Sequence, residues 1–137
     1  MIKHSMAAIV ALAGIGAAQA ADLGPADIVA RHNAAVAASN VEAMMADYAE
    51  DAIVLQDGKS IQGKAGIRKL MEGMFPTPVP GAAPAGAAAM KVTRKWAEGN
   101  VGYYSWDMGV VNGTDEFIVR DGKIAVQAVF INRPPAK

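Results

Sequence analysis

Apolar residues recur along this chain with two periods, and the change from one to the other divides it. Ile28, His32 and Val36 stand four apart and share one face of a helix, with His32 the polar member of that face. Gly24-Pro25 precedes them, with Pro at an early helical position where its missing N–H is no loss. Ser39-Asn-Val-Glu reads as a capping box that opens a second helix. The stripe of that helix runs through Val41, Met44, Met45 and Tyr48. Ala52 to Gln56 is a short apolar strand, which Asp57-Gly58 turns into a second one, Lys59 to Gln62. Gly63 ends it. Ile67, Leu70, Met71 and Met74 then mark a third helix, which stops before Pro76.

Pro76 to Ala89 is rich in Pro, Ala and Gly and reads as a loop, longer than is usual in a compact domain. Beyond it the period is two. Met90 to Ala97 is a strand, Gly99-Asn100 a turn, and Val101 to Val111 a long strand. Asn112-Gly113 is a hairpin signal, followed by the strand Thr114 to Arg120, the turn Asp121-Gly122 and the strand Lys123 to Asn132. Three helices cannot cover both faces of such a sheet. The pattern predicts an α+β fold, with a curved antiparallel sheet wrapped over three N-terminal helices and a pocket at the open end.

Composition changes this picture at one end only. A short basic leader, an apolar run from Met6 to Gly16 and Ala18-Gln19-Ala20 together read as a signal peptide over residues 1–20. The run is shorter than the ~20 residues of a spanning helix. The expectation is one domain over 21–137, periplasmic or secreted, with no membrane contact after cleavage. The 13 basic and 13 acidic residues cancel, and no basic face marks a nucleic-acid partner. With no cysteine there is no disulfide or thiolate metal site. Once the leader is removed His32 is the only histidine, so neither a metal nor another cofactor is expected.

Three stretches carry a resemblance: Tyr48-Ala-Glu-Asp-Ala-Ile-Val, Gly63-Lys-Ala-Gly-Ile-Arg and Asp115-Glu-Phe-Ile-Val-Arg-Asp-Gly-Lys-Ile. In their order and spacing the chain resembles the nuclear transport factor 2-like superfamily, in the SnoaL-like branch that also contains the steroid Δ-isomerases. The resemblance implies a cone-shaped α+β barrel, a deep apolar pocket for a small organic molecule, and a homodimer packed through the sheet. It also implies acid–base chemistry of isomerase or cyclase type, through an enolate. Counted from Tyr48, the isomerases' helix-one tyrosine falls on His32, their late-strand acid on Asp115, and their base on Gln56. Glutamine takes no proton at neutral pH, so the base role passes to Asp57, one residue on, or to a water.

The catalytic expectation is therefore His32, Asp115 and Asp57. Strand parity places Asp115 with Phe117 and Val119 on the more apolar face, and Glu116 with Ile118 and Arg120 on the other. The ligand wall is expected from Gln56, Tyr48, Trp106, Phe117 and Gln127. Each has an ordinary alternative: His32 as a core histidine, Asp115 as a solvated acid near a turn, Gln127 at the solvent edge. The same features allow a second reading, a ligand-binding or dimeric interaction module without catalysis.

Overall fold

In a computed structural model of the chain, residues 23–77, 80 and 90–133 are described. The expected leader lies outside them, as does most of the Pro76–Ala89 loop. Gly24 and Pro25 start α1 (Pro25–Ala37). Asn40 caps α2 (Val41–Asp47), its side chain accepting from the Ala43 N–H at 3.0 Å. The cap thus falls one residue later than the capping-box pattern placed it, because Ser39 takes φ +50° to turn the chain between the helices. Tyr48 closes the α2 stripe in sequence, yet it has already left the helix at φ −84° and ψ 142°. It begins β1 (Tyr48–Gln56), which returns through Asp57 and Gly58, both at positive φ, into β2 (Lys59–Gln62). α3 (Lys64–Met74) follows, and then β3 (Lys91–Glu98), β4 (Val101–Asp107), β5 (Asn112–Arg120) and β6 (Lys123–Asn132).

Asn112-Gly113 is not the hairpin turn. β4 ends at Asp107, Gly109 takes φ +86°, and the Met108 N–H meets the Val111 carbonyl at 2.9 Å, so the turn lies at 108–111. Asn112 pairs with Asp107 and Gly113 with Trp106, inside the ladder. Gly113 is needed for packing: a Cβ there would stand 2.5 Å from Trp106 Cζ2 and 2.5 Å from the Phe130 carbonyl oxygen. The Trp106 indole lies where that side chain would be.

The six strands form one curved, open sheet in the order β2-β1-β6-β5-β4-β3. Four of its pairings are antiparallel, but β1 runs parallel to β6. The sheet is thus mixed, where turn signals and alternation had suggested an antiparallel one. Register shifts in β1, in β3 and in β5 against β6 bend it, as bulges do. α1 packs on β3, β4 and β5, α3 on β1 and β2, and α2 joins the two helices. Ile28, Met44, Val54, Ile67, Phe117 and Ile124 are fully enclosed between helices and sheet, each stabilising the fold by about 1.5–3 kcal/mol. Asp115, Phe117 and Val119 face this core, while Glu116, Ile118 and Arg120 face out.

The outer face is unusually apolar. Leu55, Trp96, Ile118 and Phe130 are all exposed there. Trp96 stacks on Tyr103 with ring centroids 5.8 Å apart. A register shift between Val92 and Arg94 interrupts the alternation of β3, and Arg94 is exposed.

Candidate functional site

A cavity of about 240 Å³ opens between the helices and the concave face of the sheet. Its walls are apolar: Val36 from α1, Met71 and Met74 from α3, Phe75, and Val129 and Ile131 from β6. Met90 and Met108, just outside the paired ends of β3 and β4, add two more thioethers. Methionine side chains of this kind adapt to the shape of a ligand. The volume exceeds the ~150 Å³ of an engineered cavity that takes benzene and is below the ~300 Å³ at which drug-sized sites begin. It suits a molecule of one or two rings.

Polar groups are concentrated at the buried end. Asp115 lies between Tyr104 on β4 and Val129 on β6, in register with both. Three donors converge on its two oxygens. Trp106 Nε1 donates to Oδ1 at 3.0 Å, and Tyr104 Oη and Gln127 Nε2 donate to Oδ2 at 3.0 Å each. Tyr48 Oη in turn donates to Gln127 Oε1, which fixes which way that amide points. Burial raises the Asp115 carboxyl above the ordinary aspartate range, against the lowering effect of its three donors and of His32. Burial first, and Asp115 next, push the Tyr48 and Tyr104 hydroxyls well above their usual range, so both remain donors.

His32 forms the second polar group. α1 places it on the core-facing side with Ile28 and Val36, and it is 0% exposed. Its ring packs edge-on against Tyr48 and Phe117, with centroids 5.4 Å away in both cases. Nδ1 lies 3.3 Å from Oδ2 of Asp47, the last residue of α2, also fully buried. A carboxylate only accepts, so Nδ1 donates, and the neutral ring then carries its lone pair on Nε2. Nε2 is buried with no partner, and His32 lines the cavity. Arg31, half-exposed, closes on the other Asp47 oxygen through Nε and Nη2, both at 2.5 Å.

The structure brings together five of the candidates. His32, Asp115, Gln56, Trp106 and Gln127 line one cavity. Gln56 stands at its rim, half-buried, with Nε2 3.9 Å from Met74 Sδ. Tyr48 and Phe117 lie behind that wall, fully buried, and touch the site through Gln127 and through the Tyr104 and His32 rings. Asp57 stays apart. It sits in the β1–β2 turn, exposed, with both oxygens on the Arg133 guanidinium at 2.8 and 3.1 Å. That pairing holds its carboxyl below the usual range, and it does not line the cavity. Asp47 escaped the sequence reading; its one signal was a place three residues after Met44, in line with the apolar stripe. No group of three or more His, Cys, Asp or Glu able to hold a metal occurs among the described residues.

Among curated proteins, none matches the sequence. Similar solved structures are numerous. A nuclear transport factor 2-like protein of unknown function from Burkholderia xenovorans is 21% identical, with a TM-score of 0.64 over 82% of this chain and 85% of its own. A putative polyketide cyclase from Sinorhizobium meliloti is 21% identical, with a TM-score of 0.59 over 75% and 93%. A putative ketosteroid isomerase from Kribbella flavida is 20% identical, with a TM-score of 0.57 over 80% and 81%. Identities this low establish a shared fold. The family is established by sequence, through a match over residues 29–127: this chain belongs to the SnoaL-like domain family, built on the nuclear transport factor 2-like fold.

Proposed function

We propose that this protein is an exported SnoaL-like pocket protein that takes a small, largely apolar ketone or enol and moves a proton on it through His32. The observation that carries this reading is the His32 ring itself. It is enclosed, oriented by Asp47 through Nδ1, left with an unpartnered, buried Nε2, and belongs to a residue that lines an apolar cavity. An unpartnered imidazole nitrogen held this way is what α-proton abstraction requires. The base role thereby moves from Gln56 and Asp57 to α1. Nε2 takes a proton from the carbon next to the carbonyl. The imidazolium so formed donates to the new oxyanion, and the proton passes to oxygen or to a second carbon. Asp115, already accepting three hydrogen bonds, holds Tyr104, Trp106 and Gln127 in place around the ligand.

The test is deuterium exchange into 2-tetralone, a bicyclic enolisable ketone, followed by NMR in D₂O. The expected result is catalysed exchange at its α carbon that falls by about 10²–10⁴-fold in His32→Ala, the usual worth of a general base. Exchange at the same rate in the variant sinks the catalytic reading. A second reading, a binding module without turnover, draws on Gln56 standing where the isomerases carry their base. It expects 2-tetralone to bind without exchange. In both readings the apolar outer face of the sheet pairs two copies of the chain, and the leader directs the protein to the periplasm or outside the cell.

A further inference from the structure

The buried end of the cavity is rich in acceptors and poor in free donors. Tyr104 Oη, Trp106 Nε1 and one hydrogen of Gln127 Nε2 are all committed to Asp115. The Gln127 carbonyl is held by Tyr48, and the His32 N–H faces Asp47. Apart from the spare lone pairs of the Tyr104 hydroxyl and the Gln127 carbonyl, two acceptors remain. One is His32 Nε2, with no partner at all. The other is the carboxylate of Asp115, which offers about four lone-pair directions and has three filled. Against them stand a single remaining Gln127 amide hydrogen and the Gln56 amide out at the rim. Charge points the same way. No lysine or arginine lines the cavity among the described residues, and Asp115 is its only carboxylate.

We infer that the cavity selects its ligand as a neutral hydrogen-bond donor, a phenol or an enol, and rejects both the carboxylate and the O-alkylated form of the same skeleton. The inference rests on the reading of the cavity as a site for an enolisable ketone and adds that the enol, the form that carries a hydroxyl, is held more tightly than the ketone. A hydroxyl that reaches Nε2 gives an orphaned buried acceptor its partner. An ether leaves Nε2 unsatisfied, which is costly in an apolar site. An anion meets a buried carboxylate with no cation to offset it.

Three bicyclic probes separate these cases at neutral pH: 2-naphthol, 2-methoxynaphthalene and 2-naphthoate. Binding to the full mature chain is measured by calorimetry. The expected order places 2-naphthol tightest, by about tenfold or more over each of the others, the size of one well-made buried hydrogen bond. In His32→Phe, which keeps a planar ring but has no acceptor, 2-naphthol loses its advantage over the ether. If the wild-type chain binds the ether or the carboxylate as tightly as 2-naphthol, the inference is overturned while the small-molecule site stands. If none of the three binds, the site reading and the inference fall together.

Discussion

At the scale of single residues, Asp115 makes the clearest prediction. Its carboxyl is raised in the folded chain above its value in the unfolded one, through burial. The contribution to stability is then fully present below the ordinary aspartate range and is lost as pH rises through the raised value. Asparagine does not titrate. The stability advantage of the wild type over Asp115→Asn should therefore be largest at the acid end and shrink toward neutral pH, as read from urea melts across that range. A difference independent of pH contradicts the assignment. At neutral pH the amide also turns an N–H toward donors that need an acceptor, a conflict worth about 1–3 kcal/mol. Asp115 could be placed from sequence because strand alternation alone orients it, with Phe117 and Val119 as company. Asp47 could not. Its burial depends on Arg31 and His32 arriving from α1, and nothing local in Ala46-Asp47-Tyr48 reports that meeting.

Among elements, the strands were legible wherever alternation and turn chemistry agreed. β2 and β6 begin and end where the pattern put them. The β4–β5 hairpin shows what misleads. Asn-Gly signals a tight turn through its backbone freedom, but at Gly113 the demand is for space beneath the Trp106 indole. Two glycine substitutions should therefore act in opposite directions. Gly113→Ala overpacks the hairpin and should cost about 1–3 kcal/mol or more, with a shift in Trp106 emission as the indole leaves Asp115. Gly73→Ala, in α3 with nothing within 4 Å of the new methyl, should stabilise by about 0.5–1 kcal/mol. Thermal melts of the two variants check both signs. Equal shifts in one direction count against this account of Gly113.

For the whole molecule, the α+β class followed from the helical period giving way to the strand period. The parallel seam did not, because turn signals record only neighbours in sequence, and β1 and β6 are far apart in the chain. The outer face carries the matching prediction of assembly. Trp96, Tyr103, Glu116, Ala128 and Leu55 form one cross-strand row, with Ile118 and Phe130 beside it. An apolar patch of this kind marks an interaction surface. The wild-type chain should sediment as a dimer, and the double variant Ile118→Lys, Phe130→Glu as a folded monomer. A monomeric wild type rejects the pairing.

The seam between β1 and β6 also sets the order in which the molecule can form. All of residues 57–122 separates the two strands, so their pairing closes a long loop before any contact compensates for the lost chain entropy. Of the six described strands, β6 is the last to be synthesised. Until it appears, β1 has only β2 as a strand partner, and Gln127, Val129 and Ile131 have yet to supply their side of the cavity. The local hairpins can form early, but the seam must wait for the C-terminal strand. The pocket should therefore be the last part of the protein to form, and seam formation should limit the refolding rate.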